Sequence, residues 1–522
     1  MEKKIYLRLF ALGALLGALL AALQQTPGYM DADYYFYMGD RLASGKGFTE
    51  MILWNYLDDP MGIPHAAFTY WMPLTSIVAA AGLLLGGSSS GFDSAQIGFV
   101  LLVGAVPVVT AALSYRLTGR KDLAVTAGVF SLLSGFYLPF LTTTDGFSLF
   151  MVLGGLFFYS AAGKGKYDPV WVGLAAGLLH LTRVDGILWL AAAFFWIAAR
   201  GVNWSGKSVR LAEGIREGIF VLGGYLAVMG PWFARNRAAF GSFMAPGGSQ
   251  TLWMTNFNQL YAYPNSLLTM ESWLSSGWKD IFSARFHALG QNLVSTFVVQ
   301  GMVILWIFAL IGIWKYKTNK TVWVGGLIWG MTIFLMSFAF PYSGERGGYF
   351  HSSAGLMPLL WALAPAGFQT AGEWVENKRG WRKGQGPVFF RNVVFVVVLG
   401  ISAFLLYSKL GPGSTRDSST QNYLEIDNFL VGHGLQSEDI VMVNNPPGYA
   451  AATGRPAIVI PDGERSTLAS AAERYGAAFI VLEYNHPPGL DSLYDAPVDF
   501  GSYRYLDSFA EMIIFIRVEQ TQ

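Results

Sequence analysis

Residues Met30 to Phe48 read MDADYYFYMGDRLASGKGF, and they follow almost directly on an apolar run, Ile5 to Leu23, long enough to cross a bilayer. Two carboxylates, Asp31 and Asp33, therefore stand just beyond the end of a membrane helix, with Tyr34, Tyr35, Phe36 and Tyr37 beside them. Carboxylates at such a place can be no more than a solvated flank. Their aromatic company points further, because a helix continued along the membrane surface with its rings in the interface holds the carboxylates at headgroup depth. There they can act on a lipid-linked polar substrate.

The 522 residues are 53% hydrophobic and 13% charged, with a mean hydropathy of +0.39. That is more apolar surface than one soluble core can hide, so a polytopic α-helical membrane protein is expected. A net charge of +1 carries no nucleic-acid signal, and no nucleic-acid partner is expected. Cysteine is absent, which excludes a disulfide framework and a thiolate metal site. Lys3, Lys4 and Arg8 lead into the first apolar run, and no small-residue cleavage site follows it, so the segment reads as a retained helix.

Apolar runs recur at about 5–23, 94–113, 122–141, 146–162, 168–182, 186–200, 214–231, 292–314, 321–340, 353–369 and 391–410, which predicts about eleven transmembrane helices. With the N-terminus in the cytoplasm, the inner connections carry Arg116, Arg120 and Lys121; Lys164 and Lys166; Arg200, Lys207 and Arg210; Lys315, Lys317 and Lys320; and Lys378, Arg379, Arg382 and Lys383. This sidedness requires that the run Trp71 to Gly87, interrupted by Pro73, lies in or re-enters the outer interface without crossing. The outer side, with a plasma membrane expected, then holds a first loop (24–93), a turn at Asp145, a large aromatic loop (235–291) and everything after Leu410. Residues 1–410 read as a transmembrane domain. Residues 411–522 read as a small extracytoplasmic α/β domain, with β-rich runs (DIVMVNN, AIVIP, AAFIVLEYN, EMIIFIRVE) and a helical stretch near Ser466 to Tyr475. Its six Arg against fifteen Asp plus Glu agree with an outer location.

Charged residues gather at the outer ends of these runs. Asp145 in LTTTDGFSLF sits at headgroup depth or caps the helix that follows it. Arg183 and Asp185 in LTRVDG lie between two short apolar runs, as a structural ion pair or as a fork for phosphate oxygens. In GPWFARNRAAFGSF, Pro231 and Trp232 are expected to close a helix, and Arg235 and Arg237 beyond it oppose the positive-inside trend, so an anion is expected there. FPYSGERGGYFHSSAGLMP leaves Glu345, Arg346 and His351 at another outer end, and NYLDDPMGIPHAAF offers Asp58, Asp59 and His65 in a turn-rich loop.

Taken in order, these segments resemble the polyprenyl-phosphate-sugar-dependent glycosyltransferases of the GT-C superfamily, in the branch of the protein O-mannosyltransferases and the lipid A aminoarabinose transferases. DADYYFYMGDRLASGKGF is similar to their first acidic outer-loop motif, TYWMPLTS to the segment before the second span, LTTTDGF to the second acidic loop, and LTRVDG, PWFARN and RGGYFHSSAGLMP to later signatures. The likeness covers residues 1–410. Ala32 stands where many relatives carry Glu.

The resemblance implies a membrane glycosyltransferase with a GT-C-like fold that moves a sugar from a polyprenyl-phosphate donor to a hydroxyl of a protein, lipid or glycan acceptor outside the cytoplasm, with inversion. Asp31, Asp33 and Asp145 are the implied catalytic residues, Asp31 as general base. Arg183, Asp185, Arg235, Arg346, Tyr349 and His65 are the implied substrate-binding residues. A divalent cation, Mg or Mn, held by Asp31, Asp33 and Asp145 is implied by analogy with some members of the superfamily. A transporter or lipid flippase is the competing class, since it too has many spans and intramembrane charge. It leaves the large outer loops and outer domain without a task, and no paired halves are visible in the sequence.

The absence of cysteine makes sidedness directly testable. Single cysteines at Ser44, Ser266 and Ser466 should react with an impermeant maleimide in intact cells, and one at Ser208 only after permeabilisation. Labelling of Ser208 in intact cells would reverse the topology.

Overall fold

The computed structural model describes residues 1–87, 91–201, 211–412 and 418–518. Lys207, Ser208 and Arg210 lie outside the described residues. Each of the eleven apolar runs falls on helix, from Lys3–Ala22 to Gln385–Leu410. Among the described residues, five helical stretches are long and apolar enough to span a bilayer: Lys3–Ala22, Phe92–Thr118, Ala212–Phe240, Lys320–Ala339 and Gln385–Leu410. A bent pair, Trp278–Gln300 with Ile304–Lys315, makes a sixth if it is one span. Others are shorter, such as Phe147–Ala161 and Asp168–Thr182, and pack within the bundle, where Phe150, Phe157, Phe158 and Trp189 are fully buried. The chain is a polytopic, mostly helical membrane protein.

Two helix ends differ from expectation. The run 292–314 is broken, because its two halves meet at 93° where Met302 and Val303 take left-handed φ of 45° and 57°. Trp306 spans the break by donating its indole N–H to the Thr296 carbonyl. Pro231 does not close its helix, which runs on from Leu211 to Phe240. Beyond the proline, Arg235 donates to the carbonyls of Phe48 (3.1 Å) and Ala67 (2.8 Å), contacts that hold the extra turns against the first outer loop and offset the lost backbone bond.

After Lys3–Ala22 the chain turns through Gly28 into the helix Met30–Ala43. Asp31 and Asp33 occupy its first turn and Arg41 its last, the charge order that complements a helix dipole. Gly39 lets it press on Leu74–Gly86, where a Cβ would stand 2.8 Å from that of Ala79. Leu74–Gly86, the core of the Trp71–Gly87 run, has 13 residues, about 20 Å of helix, less than the hydrocarbon thickness.

The C-terminal segment forms a sheet in the order Ile52–Leu53, Ala457–Val459, Ile440–Val443, Ala477–Leu482, Met512–Arg517, Tyr503–Phe509. The first three pairings are parallel and the last two antiparallel. Alternation places Val441 and Val443 against Tyr423, Ile426 and Leu430 of Ser418–Gly432, while Met442 packs with Leu468 and Ala471 of Arg465–Tyr475. All four β-rich runs read from the sequence are strands. The edge strand Ile52–Leu53 comes from the first outer loop, so the C-terminal sheet is completed by residues four hundred positions upstream.

Further contacts fasten the two segments. Asp33 Oδ2 accepts from Asn445 Nδ2 at 2.9 Å, Arg474 pairs with Asp59 at 2.7 Å, and the Tyr475 hydroxyl donates to the Pro60 carbonyl at 3.0 Å. Asp33 is only 4% exposed, so its bond to Asn445 is a charge-assisted one in a buried setting. Asp33→Ala should therefore cost about 1.5–3 kcal/mol of stability, read as a lower thermal midpoint of the purified protein. An unchanged midpoint would show that this bond does not hold the C-terminal segment.

Candidate active site

The helix Met30–Ala43 turns by about 100° per residue, so residues two apart point to nearly opposite sides. Asp33 faces Asn445. Asp31 faces a cavity of about 580 Å³ that is walled largely by apolar and aromatic side chains, including Trp54, Trp71, Leu188, Phe257 and Phe340. Arg183, Asp185, Arg346 and His351 line the same cavity.

Asp31 and His351 of this lining come together with Asp145 behind it, one ligand atom of each inside a 4.8 Å cluster. Asp145, 2% exposed, lies in the turn before Phe147–Ala161 and is nearly saturated. Its Oδ2 accepts from the Tyr29 hydroxyl (2.6 Å) and lies 2.9 Å from His351 Nε2, and its Oδ1 accepts from the Gly146 N–H (2.5 Å). His351 stacks on Phe147 with ring centroids 4.3 Å apart, and its Nδ1 donates to the Gly347 carbonyl at 2.8 Å. Gly347 sits at φ 116°, a conformation glycine supplies without a Cβ penalty. With Nδ1 committed as donor, Nε2 points at Asp145 and, at 3.8 Å, at Asp31 Oδ2.

Electrostatics separate the two carboxylates. Burial pushes the Asp31 carboxyl up to about 6, the His351 charge opposing the rise. Burial alone would also raise Asp145, but the His351 charge and the hydrogen bonds from His351, Tyr29 and Gly146 hold it below the usual carboxylate range. His351 is held above the ordinary imidazole value, since the Asp145 carboxylate outweighs the cost of burying its charge. Asp31 keeps 34% of its side chain open to the cavity, against 3% for Asp145, so Asp31 is the carboxylate a ligand can reach.

Two carboxylate oxygens and an imidazole nitrogen whose other nitrogen is fixed by a backbone carbonyl form a donor set that suits a divalent ion. This corrects the expected Asp31, Asp33 and Asp145 set, in which Asp33 has no part because its helical position turns it to the C-terminal segment. His351 takes its place.

Arg183 and Asp185 form the ion pair, Nε to Oδ1 at 3.0 Å, and Arg183 also donates to Ser352 Oγ at 3.3 Å. Arg346 lies over the Phe257 ring, 4.8 Å from its centroid. Three other candidates are placed elsewhere. His65 belongs to the hairpin Thr49–Glu50 with His65–Ala66, where its Nε2 lies 3.2 Å from Glu50 and 2.9 Å from the Ile52 carbonyl. Burial pushes that Glu50 carboxyl up to about 7. Arg235 is spent on the loop carbonyls and on cation–π contacts with Trp232 and Phe240, and the charge near enough to act on it is that of Glu50. Tyr349 is fully buried on the far side of its short helix, its hydroxyl 2.5 Å from Thr296 Oγ1.

Tyr29, Gly347 and the place of His351 beside Asp31 and Asp145 were not singled out from the sequence. The dipeptide Gly347-Gly348 four residues before His351 is the one local signal of a carbonyl turned toward the ring.

Neither a protein-family model nor a curated protein sequence matches the chain. Solved structures do. ArnT from Cupriavidus metallidurans bound to undecaprenyl phosphate is similar with a TM-score of 0.59 at 13% identity, over 99% of both chains. The apo oligosaccharyltransferase of Archaeoglobus fulgidus is similar with a TM-score of 0.59 at 12% identity, over 92% of this chain and 70% of that one. The same enzyme in complex with Zn and sulfate gives 0.55 at 13%, over 91% and 67%. At such identity the likeness is one of fold, and the fold is the GT-C-like architecture that the sequence resemblance implied.

Proposed function

We propose that the chain is an integral-membrane glycosyltransferase that moves a sugar from a polyprenyl-phosphate donor to an acceptor hydroxyl on the extracytoplasmic side, with inversion and with Asp31 as general base. The observation that carries this is the content of one cavity: a reachable carboxylate beside a buried Asp–His pair, two guanidinium groups, and otherwise apolar walls. Apolar walls suit a prenyl chain, and Arg183 and Arg346 suit its phosphate. The likeness to ArnT, a structure solved with undecaprenyl phosphate, agrees with that assignment.

In this mechanism the acceptor hydroxyl attacks the anomeric carbon while Asp31 takes its proton. The bond from that carbon to the phosphate oxygen breaks, and the polyprenyl phosphate leaves with the electron pair. Arg183 and Arg346 stabilise the charge that grows on it. Asp185 aims the Arg183 fork, and Asp145 with Tyr29 fixes the His351 ring. Asp31, Asp145 and His351 would hold a divalent cation, which when bound supplies further positive charge for phosphate oxygens.

The sidedness belongs to the same reading. The inner connection bearing Lys121 contacts Glu2 at the N-terminus, and Arg120 reaches Gln369, so these basic groups gather at one end of the bundle. The cluster and the C-terminal sheet are then assigned to the opposite, extracytoplasmic end.

The test is incubation of the purified protein with radiolabelled polyprenyl-phosphate sugars. Release of polyprenyl phosphate is expected. Arg183→Lys and Arg346→Lys keep the charge but lose the planar fork, and each should weaken donor use by about ten-fold or more, the worth of one charge-assisted hydrogen bond. No donor discharge, or unchanged donor kinetics in both variants, would contradict the assignment.

A further inference from the structure

A second cavity, about 630 Å³, opens between the C-terminal sheet and the start of the helix Met30–Ala43. It shares Tyr29, Met30 and Tyr261 with the cavity that holds Asp31, so the two are neighbours across one thin wall. The shared wall includes Tyr29, whose hydroxyl holds Asp145. A ligand that extends from the second cavity past Tyr29 and Met30 enters the cavity of Asp31, the next residue in the chain.

The chemistry of this lining differs from that of the donor cavity. Side-chain amides dominate it, with Asn258, Asn422, Asn444 and Asn485 around the exposed ring of Tyr484 and the carboxylate of Glu483. No Lys or Arg is among the described residues that line it. Glu483 accepts from the Tyr423 hydroxyl (3.0 Å) and the Asn444 N–H (3.2 Å), bonds that favour its carboxylate against the burial that pushes it up. A phosphorylated ligand would meet that carboxylate with no Lys or Arg in the described lining to offset it, and the one imidazole there, His486, already faces Asp491 at 3.2 Å. Asn444 donates to Asn485 Oδ1 at 2.5 Å, while its own Oδ1 is buried and has no partner among the described residues. A buried amide oxygen without a donor costs free energy until one arrives.

We infer that this groove, given the glycosyltransfer proposed above, is the acceptor site, and that the acceptor is a neutral carbohydrate chain. Each amide offers both donors and an acceptor, which matches vicinal hydroxyls that do the same. The exposed Tyr484 ring offers a flat face for the C–H side of a pyranose. The volume lies within the range of ligand sites, about 300–1,000 Å³, and exceeds what one sugar ring fills. In the reaction a terminal hydroxyl of the bound chain loses its proton to Asp31 as its oxygen bonds the anomeric carbon, and the carbon–oxygen bond to phosphate breaks. A peptide acceptor would need side-chain pockets or charge partners, and the lining offers amides and open rings in their stead.

Saturation-transfer NMR on the full-length protein in detergent tests this, with mannohexaose, cellohexaose and chitohexaose as probes beside a pool of Ser- and Thr-containing peptides and a phosphorylated diglucosamine. At least one neutral oligosaccharide should bind, and Tyr484→Ala and Asn485→Ala should each weaken it ten-fold or more with polyprenyl-phosphate binding unchanged. Tyr484 is 74% exposed, so its replacement leaves the fold intact. Binding of the peptides or the phosphorylated sugar alone, no binding of any oligosaccharide, or oligosaccharide binding indifferent to both substitutions would overturn the inference. Donor discharge on the same samples separates the two claims: its presence without oligosaccharide binding refutes the acceptor alone, and its absence refutes the glycosyltransfer reading beneath it.

Discussion

The imidazole of His351, held between the Asp145 and Asp31 carboxylates, is the contact around which the outer end of this molecule is arranged. Gathering charged groups away from water is costly unless each is paired and hydrogen-bonded. The surroundings supply what is needed: Tyr29 and the Gly146 amide on Asp145, the Gly347 carbonyl on His351, and Phe147 beneath the ring. The group left most open is Asp31. Stabilising contacts are thus concentrated on Asp145 and His351, while chemical access is left at Asp31.

The same helix turn that presents Asp31 fixes the outer architecture. Asp33, on the other side, binds Asn445, and the loop that follows gives a strand to the C-terminal sheet and ties down Arg474 and Tyr475. The C-terminal segment therefore bears on the cavity of Asp31 through this short helix and through Tyr261, whose carbonyl accepts from the Asp462 N–H. Anything that moves the segment moves Asp31.

What could be read from the sequence was local. Apolar runs and β-rich runs became helices and strands because burial acts through the periodicity of neighbouring residues. The break at Met302 and Val303 was invisible, since neither residue type favours a left-handed φ. The cluster itself joins residues more than two hundred positions apart, and no spacing rule reaches from Asp145 to His351. Asp33 could have been set aside by its helical angle from Asp31 alone. His65, Arg235 and Tyr349 could not, because a histidine beside a carboxylate, an arginine at an outer helix end and a tyrosine in a glycine-rich turn serve packing as readily as catalysis. Only their partners, Glu50, the Phe48 and Ala67 carbonyls and Thr296, tell the uses apart.

The account rests on Asp31 as the base, and replacing it with asparagine tests that most directly. Asp31→Asn keeps the size and most hydrogen bonding of the side chain but cannot take a proton. Sugar transfer from a radiolabelled polyprenyl-phosphate donor, followed in membranes that carry the native acceptor, should fall by about 10²–10⁴-fold while donor binding stays near that of the unmodified protein. Transfer by the Asp31→Asn protein at close to the unmodified rate would contradict the account.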